Sequence, residues 1–417
     1  MAQRRQSSVT RHPFVLAVCG AISLAGAMGI GRFALTPLLP CMTSEGLIGL
    51  RAASWLATAN YLGYLLGSSF IAIEPLLLRR FGGAAKPASP GIVRWGLVVT
   101  AVATAGMALP LPSIWPLLRF ISGLSGVFVL VHTSGWCLRH LAHRQRSSLG
   151  GILFTGPGLG IAISGLLVSL VSPFGVRSDT FWLLLGILLA IMTAAIWTVI
   201  DDFESDELSQ DTHEKPACGQ EASITELCLF VGAYGLAGLG YIVTATYLPL
   251  IVHAAIGNSA LIDQFWPIVG VSAMVGALAS LCLPAALDLR TVLAIGYISQ
   301  AAGVALSVWM PDAAGFALSS ILVGLPFTAI TLFAMREARR LRPHNAAPTM
   351  GALSASFGIG QLIGPLIVTG STRQIVDPMG SLNFALLVAA NALVTGAAIF
   401  LFMRVRWPLP LNLHRTT

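Results

Sequence analysis

Long apolar runs separated by short polar stretches dominate the chain. Six runs cover Phe14–Leu39, Ala52–Ile73, Ile92–Leu109, Ile114–Leu138, Leu149–Val171 and Phe181–Ile200. Six more cover Ile224–Leu250, Phe265–Ala286, Thr291–Met310, Ala314–Met335, Pro348–Gly370 and Leu382–Met403. About 20 apolar residues in a helix cross ~30 Å of hydrocarbon, where a helix satisfies its own backbone hydrogen bonds. The pattern predicts an all-α membrane protein with twelve transmembrane helices. The first run follows Arg4, Arg5 and Arg11, as in a signal peptide, but continues to about Pro40. That is too long for the apolar region of a cleaved signal, so an uncleaved first span is expected. One polar stretch is long, Asp201 to Glu221, and reads as a flexible linker. The expected division is a six-helix bundle over 1–200, a cytoplasmic linker over 201–222 and a second bundle over 223–417.

Composition agrees with this reading. Of 417 residues, 55% are hydrophobic and 10% charged, with a mean hydropathy of +0.81; soluble domains carry roughly 25% charged residues. The net charge of +7 raises the question of nucleic acid, and the placement of the basic residues answers it. With the N-terminus inside, 19 of the 24 lysines and arginines fall in inner segments, from Arg4 through Arg79, Arg139 and Arg336 to Arg415. Only Arg51, Arg177 and Arg373 fall in outer loops, and Arg32 and Arg119 lie within spans. Such a bias sets membrane orientation, so both termini are expected in the cytoplasm and no nucleic-acid partner is needed. The six cysteines lack CxxC spacing and read as small core residues, neither metal ligands nor a disulfide framework.

The halves echo each other. Gly29-Ile30-Gly31 precedes Pro40 by nine residues, and Gly238-Leu239-Gly240 precedes Pro249 by nine, an offset of 209 residues. Gly156-Pro157 and Gly364-Pro365 match at an offset of 208. Duplicated six-helix halves place a binding site between them near the midplane and rock around it.

Further residues carry a family resemblance over essentially the whole chain. Arg119-Phe-Ile-Ser-Gly123 resembles the fourth-helix R-x-x-x-G motif of the major facilitator superfamily. Gly156-Pro157-x-x-Gly160 and Gly360-x-x-x-Gly364-Pro365 resemble its fifth-helix glycine-proline motif, often associated with export. Three stretches resemble the bacterial YbfB/YjiJ-type branch: Gly29-Ile-Gly-Arg-Phe-Ala-Leu-Thr-Pro-Leu-Leu-Pro40, Trp55-Leu-Ala-Thr-Ala-Asn-Tyr-Leu-Gly-Tyr64 and Gly238-Leu-Gly-Tyr-Ile-Val-Thr-Ala-Thr-Tyr-Leu-Pro249. The superfamily's charged loop motif is poorly kept, with Glu74, Arg79 and Arg80 after the second span and Asp288 and Arg290 after the eighth. Gating by the usual inner-face charge network is therefore in question. The resemblance implies two pseudo-symmetric six-helix bundles and secondary transport by alternating access, in the inner membrane of a bacterium, by a monomer without cofactor or metal.

Arg32 is the most informative candidate. A charge within the membrane costs at least ~2.5–3.5 kcal/mol, so it normally faces a cavity or a partner. By helix rise, Arg32 and Arg119 sit at similar depth, and the resemblance makes the first and fourth helices neighbours. Two guanidiniums on one wall suit a carboxylate or phosphate. None of the 17 acidic residues falls well inside a span, which leaves carbonyls, water or an anionic substrate as partners. The structural alternative has Arg32 capping carbonyls around the Gly29/Gly31 break or snorkelling outward, and Arg119 serving helix packing or coupling. Tyr241, the repeat mate of Arg32, offers a hydroxyl from the opposite wall or simply packs. Asn60, Tyr61, Tyr64 and Gln361 are further substrate candidates that interhelical hydrogen bonding explains equally. His132 is a candidate coupling residue, or a buried neutral histidine bonded to backbone; 13 residues separate it from Arg119, so the two should not share a face.

The expected function is transport of a small organic anion, driven by the proton gradient, as in proton-coupled export, or by exchange. The alternative is transport of neutral sugar-like solutes or drugs, with structural arginines. An intramembrane serine protease built on Ser125 in Gly123-Leu-Ser125-Gly126 is the best enzymatic alternative, with His253 as the nearest candidate base. No phosphate-binding G-x-x-x-x-G-K-[ST] occurs, which argues against an ATP-driven pump and any enzyme role of that kind.

Overall fold

The computed structural model describes residues 12–80, 89–210, 222–256, 264–284, 287–342, 346–371 and 378–408, and every regular element among them is helical. The helices are α1 (Pro13–Ser44), α2 (Leu50–Arg80), α3 (Pro90–Gly106), α4 (Trp115–His143), α5 (Thr155–Val171) and α6 (Ser178–Gln210). They continue as α7 (Ile224–Ile256), α8 (Phe265–Ala279), α9 (Leu289–Trp309), α10 (Ala313–Leu341), α11 (Ala347–Ser371) and α12 (Pro378–Arg406). Among the described residues, eleven helical spans are long and apolar enough to cross a membrane. The expected twelfth, α3, has 17 residues, about 25 Å at 1.5 Å per residue, the short limit for a span.

Local chemistry sets the helix ends. Asp288 and Asp312 cap α9 and α10, accepting from the backbone amides of Arg290 (2.9 Å) and Gly315 (2.7 Å). Pro90 opens α3 at a position where its missing N–H costs nothing. Gly175 closes the turn after α5 with φ +72°, which glycine adopts freely. Large apolar side chains face outward, among them Phe174, Val405, Ile224 and Trp309. Apolar surface on that scale suits lipid and not water.

Two expectations change. The helix of α6 continues to Gln210, so the first half of the expected flexible linker is helical. Its sequence Asp-Asp-Phe-Glu-Ser-Asp-Glu-Leu-Ser-Gln has no glycine or proline and includes good helix formers. Residues 211–221 lie outside the described residues, as do Arg4, Arg5, Arg11, Lys86, Lys215, Arg373 and Arg415 of the charge count. Second, α10 runs past Met335 to Leu341, so Glu337 lies within a spanning helix and is 1% exposed.

Glu337 belongs to a buried charge cluster. Arg290 donates to Glu337 (2.9 Å), to Glu226 of α7, and to the carbonyls of Met403 (2.8 Å) and Trp407 (3.0 Å). Arg340 in turn donates to both oxygens of Glu337 (2.6 Å each). A charged network therefore ties α7, α9, α10 and α12 at one end of the molecule, where the sequence left such a network in question.

Helix packing repeats at an interval of six. In the first set α1 packs on α5, α2 and α3 on α4, and α3 on α6; in the second α7 packs on α11, α8 and α9 on α10, and α9 on α12. Between sets, α2 meets α11 and α5 meets α8. Glycine permits the closest approaches. A Cβ on Gly29 would lie 2.4 Å from Gly160 Cα, and one on Gly238 would lie 2.1 Å from the Phe357 carbonyl oxygen. Gly29 and Gly156 thus lie where α1 meets α5, and Gly238 and Gly364 where α7 meets α11, while Gly31 faces Thr100 of α3 and Gly240 faces Leu393 of α12.

Candidate functional site

The centre of the site is an irregularity in α1. Residues Ala25–Ile30 form a π-helical turn, and a second break follows at Ala34 before the helix resumes at Leu35. Two alanines, two glycines, Met28 and Ile30 build the turn, and the small side chains let neighbours approach it closely. Carbonyls near the break are taken by α4: Arg119 donates from Nη1 to Gly31 O (2.8 Å) and from Nη2 to Arg32 O (2.6 Å). Ser122 adds a third bond to Gly31 O (2.8 Å). Asn60 of α2 donates to the Arg119 carbonyl (2.9 Å), so three helices fix the break. Carbonyl capping, weighed above for Arg32, is the arrangement of Arg119.

Arg32 is bound differently. It is 4% exposed, and its Nη2 donates to Gln361 Oε1 of α11, across the boundary between the two helix sets. Its guanidinium lies over Tyr64 at 3.9 Å from the ring centroid, with Tyr61 at 5.8 Å. Among the described residues Arg32 forms no ion pair, and its Nε and Nη1 find no hydrogen-bond partner among them either. The amide nitrogen of Gln361 is likewise unpartnered. A buried cation thus faces a neutral amide and an aromatic face, with donor capacity to spare.

Sequence reading missed an aromatic cluster beside this cation. Phe33 meets Tyr241 (6.1 Å), Phe327 (5.9 Å) and Trp266 (6.2 Å) edge to face. Tyr241 stacks on Phe327 at 4.5 Å and on Phe357 at 6.2 Å. The signal was available: Phe33 adjoins Arg32, and Phe357 stands four residues before Gln361, on the same face of α11. Tyr241 faces the first helix set through Phe33, and its hydroxyl is buried without a partner among the described residues. Tyr61 bridges α2 to α7 through Thr246 (3.3 Å).

Other candidates lie elsewhere. His132 accepts a hydrogen bond from the Ser89 amide (3.1 Å) at the start of α3 and stacks on Phe128. Thirteen residues along α4 place it about 20 Å from Arg119. The Ser125 hydroxyl bonds to Thr100 (2.8 Å) and to the Ile121 carbonyl (2.9 Å). The His253 side chain is outside the described residues.

The two helix sets touch at both ends. Where α1 begins, Arg336 of α10 donates to the carbonyls of Ser147 and Ser148, and Arg339 donates to Gly135 of α4 (3.3 Å). At the opposite end Gln264 donates to Ser169 of α5 (2.5 Å). Arg32 therefore sits enclosed between two sets of contacts.

A family model described as "Uncharacterised MFS-type transporter YbfB" matches residues 24–401, from within α1 to within α12. Comparison with curated proteins gives no match. The match spans the broken first helix, the capping arginine of α4 and the glycine-packed pairs alike, and the chain belongs to this family of major facilitator secondary transporters, as a multi-pass membrane protein.

Proposed function

We propose that the protein moves a small organic anion by alternating access, with Arg32 as the charge that holds it. One observation carries this reading: among the described residues, a buried guanidinium at the boundary of the helix sets has two donor nitrogens unpartnered and no carboxylate paired with it. A cation so placed is costly unless something anionic visits it. Six helices on each side, 1–200 and 223–417, would rock about the site, and the arginine and lysine distribution favours both termini on the cytoplasmic side of a bacterial inner membrane. Exchange of anions is the favoured energy source. The buried carboxylates Glu226 and Glu337 are committed to Arg290, and Glu337 stands ten residues, about 15 Å along α10, from Phe327.

The test is thermal unfolding of purified protein with a panel of sodium mono- and dicarboxylates and neutral sugars, since a ligand stabilises the state it binds. At least one carboxylate should raise Tm of the wild type and leave Arg32→Gln unmoved, and it should then exchange across proteoliposomes. Equal stabilisation of both proteins, or stabilisation by neutral sugars alone, overturns the reading. The second outcome favours neutral solutes, with the Arg32–Gln361 bond as a structural tie between the helix sets.

A further inference from the structure

We infer that the anion is an aryl carboxylate, a planar ring bearing one carboxylate, held with its charge at Arg32 and its ring among Phe33, Tyr241 and Phe327. This rests on the anion reading above and narrows it.

The first argument is the kind of polar group left over. Among the described residues, Arg32 Nε and Nη1, Gln361 Nε2 and Trp266 Nε1 are buried, unpartnered and pure donors, against one unpartnered acceptor among the site residues, Asn60 Oδ1. The Tyr241 hydroxyl is also unpartnered among the described residues and can donate as well as accept. A sugar hydroxyl can accept here, but it also brings a proton that needs an acceptor of its own, and its bonds carry no charge assistance from the ligand. A carboxylate is acceptor-only, with about four lone-pair sites on two oxygens, and charge-assisted bonds to it are the strong ones. The leftover groups match that ligand.

The second argument is the apolar remainder. Tyr241 and Phe327 present near-parallel faces, 26° apart, while Phe33 meets both with an edge at 88° and 72°. Tyr241 already stacks on Phe327 and Phe357, so an entering ring would take over the stacked and edge contacts these residues now make with one another, the two geometries in which arenes attract one another. The rings come from helices of both sets, α1, α7 and α10, so a ring inserted among them touches each half of the rocking machine. Charge and ring are also linked by covalent structure. Arg32 and Phe33 are consecutive, and Gln361 follows Phe357 by one turn, so carboxylate contact and ring contact sit side by side. An alkyl chain would fill the same space but gain only area burial.

The experiment uses the purified full-length protein in detergent and three probes of similar size: benzoate, cyclohexanecarboxylate and benzamide. Apparent Kd is read from the dependence of Tm on ligand concentration. Benzoate should bind roughly 3- to 10-fold more tightly than cyclohexanecarboxylate, the gain expected of aromatic contacts beyond burial, and benzamide should have no effect. Phe327→Leu, which keeps an apolar side chain, should erase the preference for benzoate yet retain carboxylate binding, whereas Arg32→Gln should lose both. Equal affinity for benzoate and cyclohexanecarboxylate overturns the aryl inference and leaves the anion reading standing. Equal affinity for benzoate and benzamide overturns the anion reading itself. Failure of all three probes to bind overturns the aryl inference, while the wider carboxylate panel continues to judge the anion.

Discussion

Arg119 and Arg32 are near neighbours with opposite bonding. Arg119 holds two carbonyls of α1, so Arg119→Gln should leave the Arg32 carbonyl uncapped and Gly31 held by Ser122 alone, and destabilise the fold by about 3 kcal/mol, given charge-assisted bonds of ~1.5–3 kcal/mol each. Thermal unfolding checks this, and Ser122→Ala should cost only about 1 kcal/mol by the same measure. Arg32→Gln runs the other way. It removes a buried charge without an ionic partner, so its Tm should equal or exceed that of the wild type while ligand-induced stabilisation disappears, the trade of stability for function expected at a binding site. Both arginines were legible in the sequence, because a charge within an apolar run is conspicuous. Their division of labour was not. It depends on which carbonyls the irregular α1 turns toward α4, and no residue count reports that.

At the level of helices, the apolar runs located each element, and the repeat offset found the glycines that bring α1 to α5 and α7 to α11. Close approach at these positions leaves no room for a side chain. Gly160→Val would place atoms within 2.3 Å of the Ala25 carbonyl oxygen, and it should abolish folded protein, judged by a monodisperse peak in size-exclusion chromatography. Gly232 has no neighbour within 4 Å of where a Cβ would stand; Gly232→Ala should be accepted and stabilise by roughly 0.5–1 kcal/mol through helix propensity. Helix ends were harder to read than helix centres. Glu337 seemed to lie beyond its span because the apolar run stops at Met335, although the helix continues for six more residues. Since removing one partner of a buried ion pair strands the other, Glu337→Gln should cost about 3–5 kcal/mol in thermal unfolding. The aromatic cluster stayed hidden for a different reason: apolar rings in apolar runs carry no contrast.

Across the whole molecule, the two helix sets meet at both ends and enclose Arg32 between them. If they rock about that residue, a tether at either end should stop transport. In a background without native cysteines, a short bifunctional thiol reagent joining Ser169→Cys to Gln264→Cys, or Ser147→Cys to Arg336→Cys, should abolish exchange of a stabilising carboxylate in proteoliposomes. Flux that persists through either tether would exclude rocking about the site.

The π-helical turn of α1 also holds one residue of slack. A π turn contains one residue more than the α turn it replaces, yet each completes one revolution, so everything after Ile30 keeps the facing it would have in an α-helix one residue shorter. Deleting Ala27 should therefore let the turn close as ordinary α-helix with Arg32 still toward Tyr64 and Gln361, whereas a deletion within regular helix rotates all that follows by about 100°. The first span can thus give up one residue at this turn and keep its site, a tolerance that regular helix does not have.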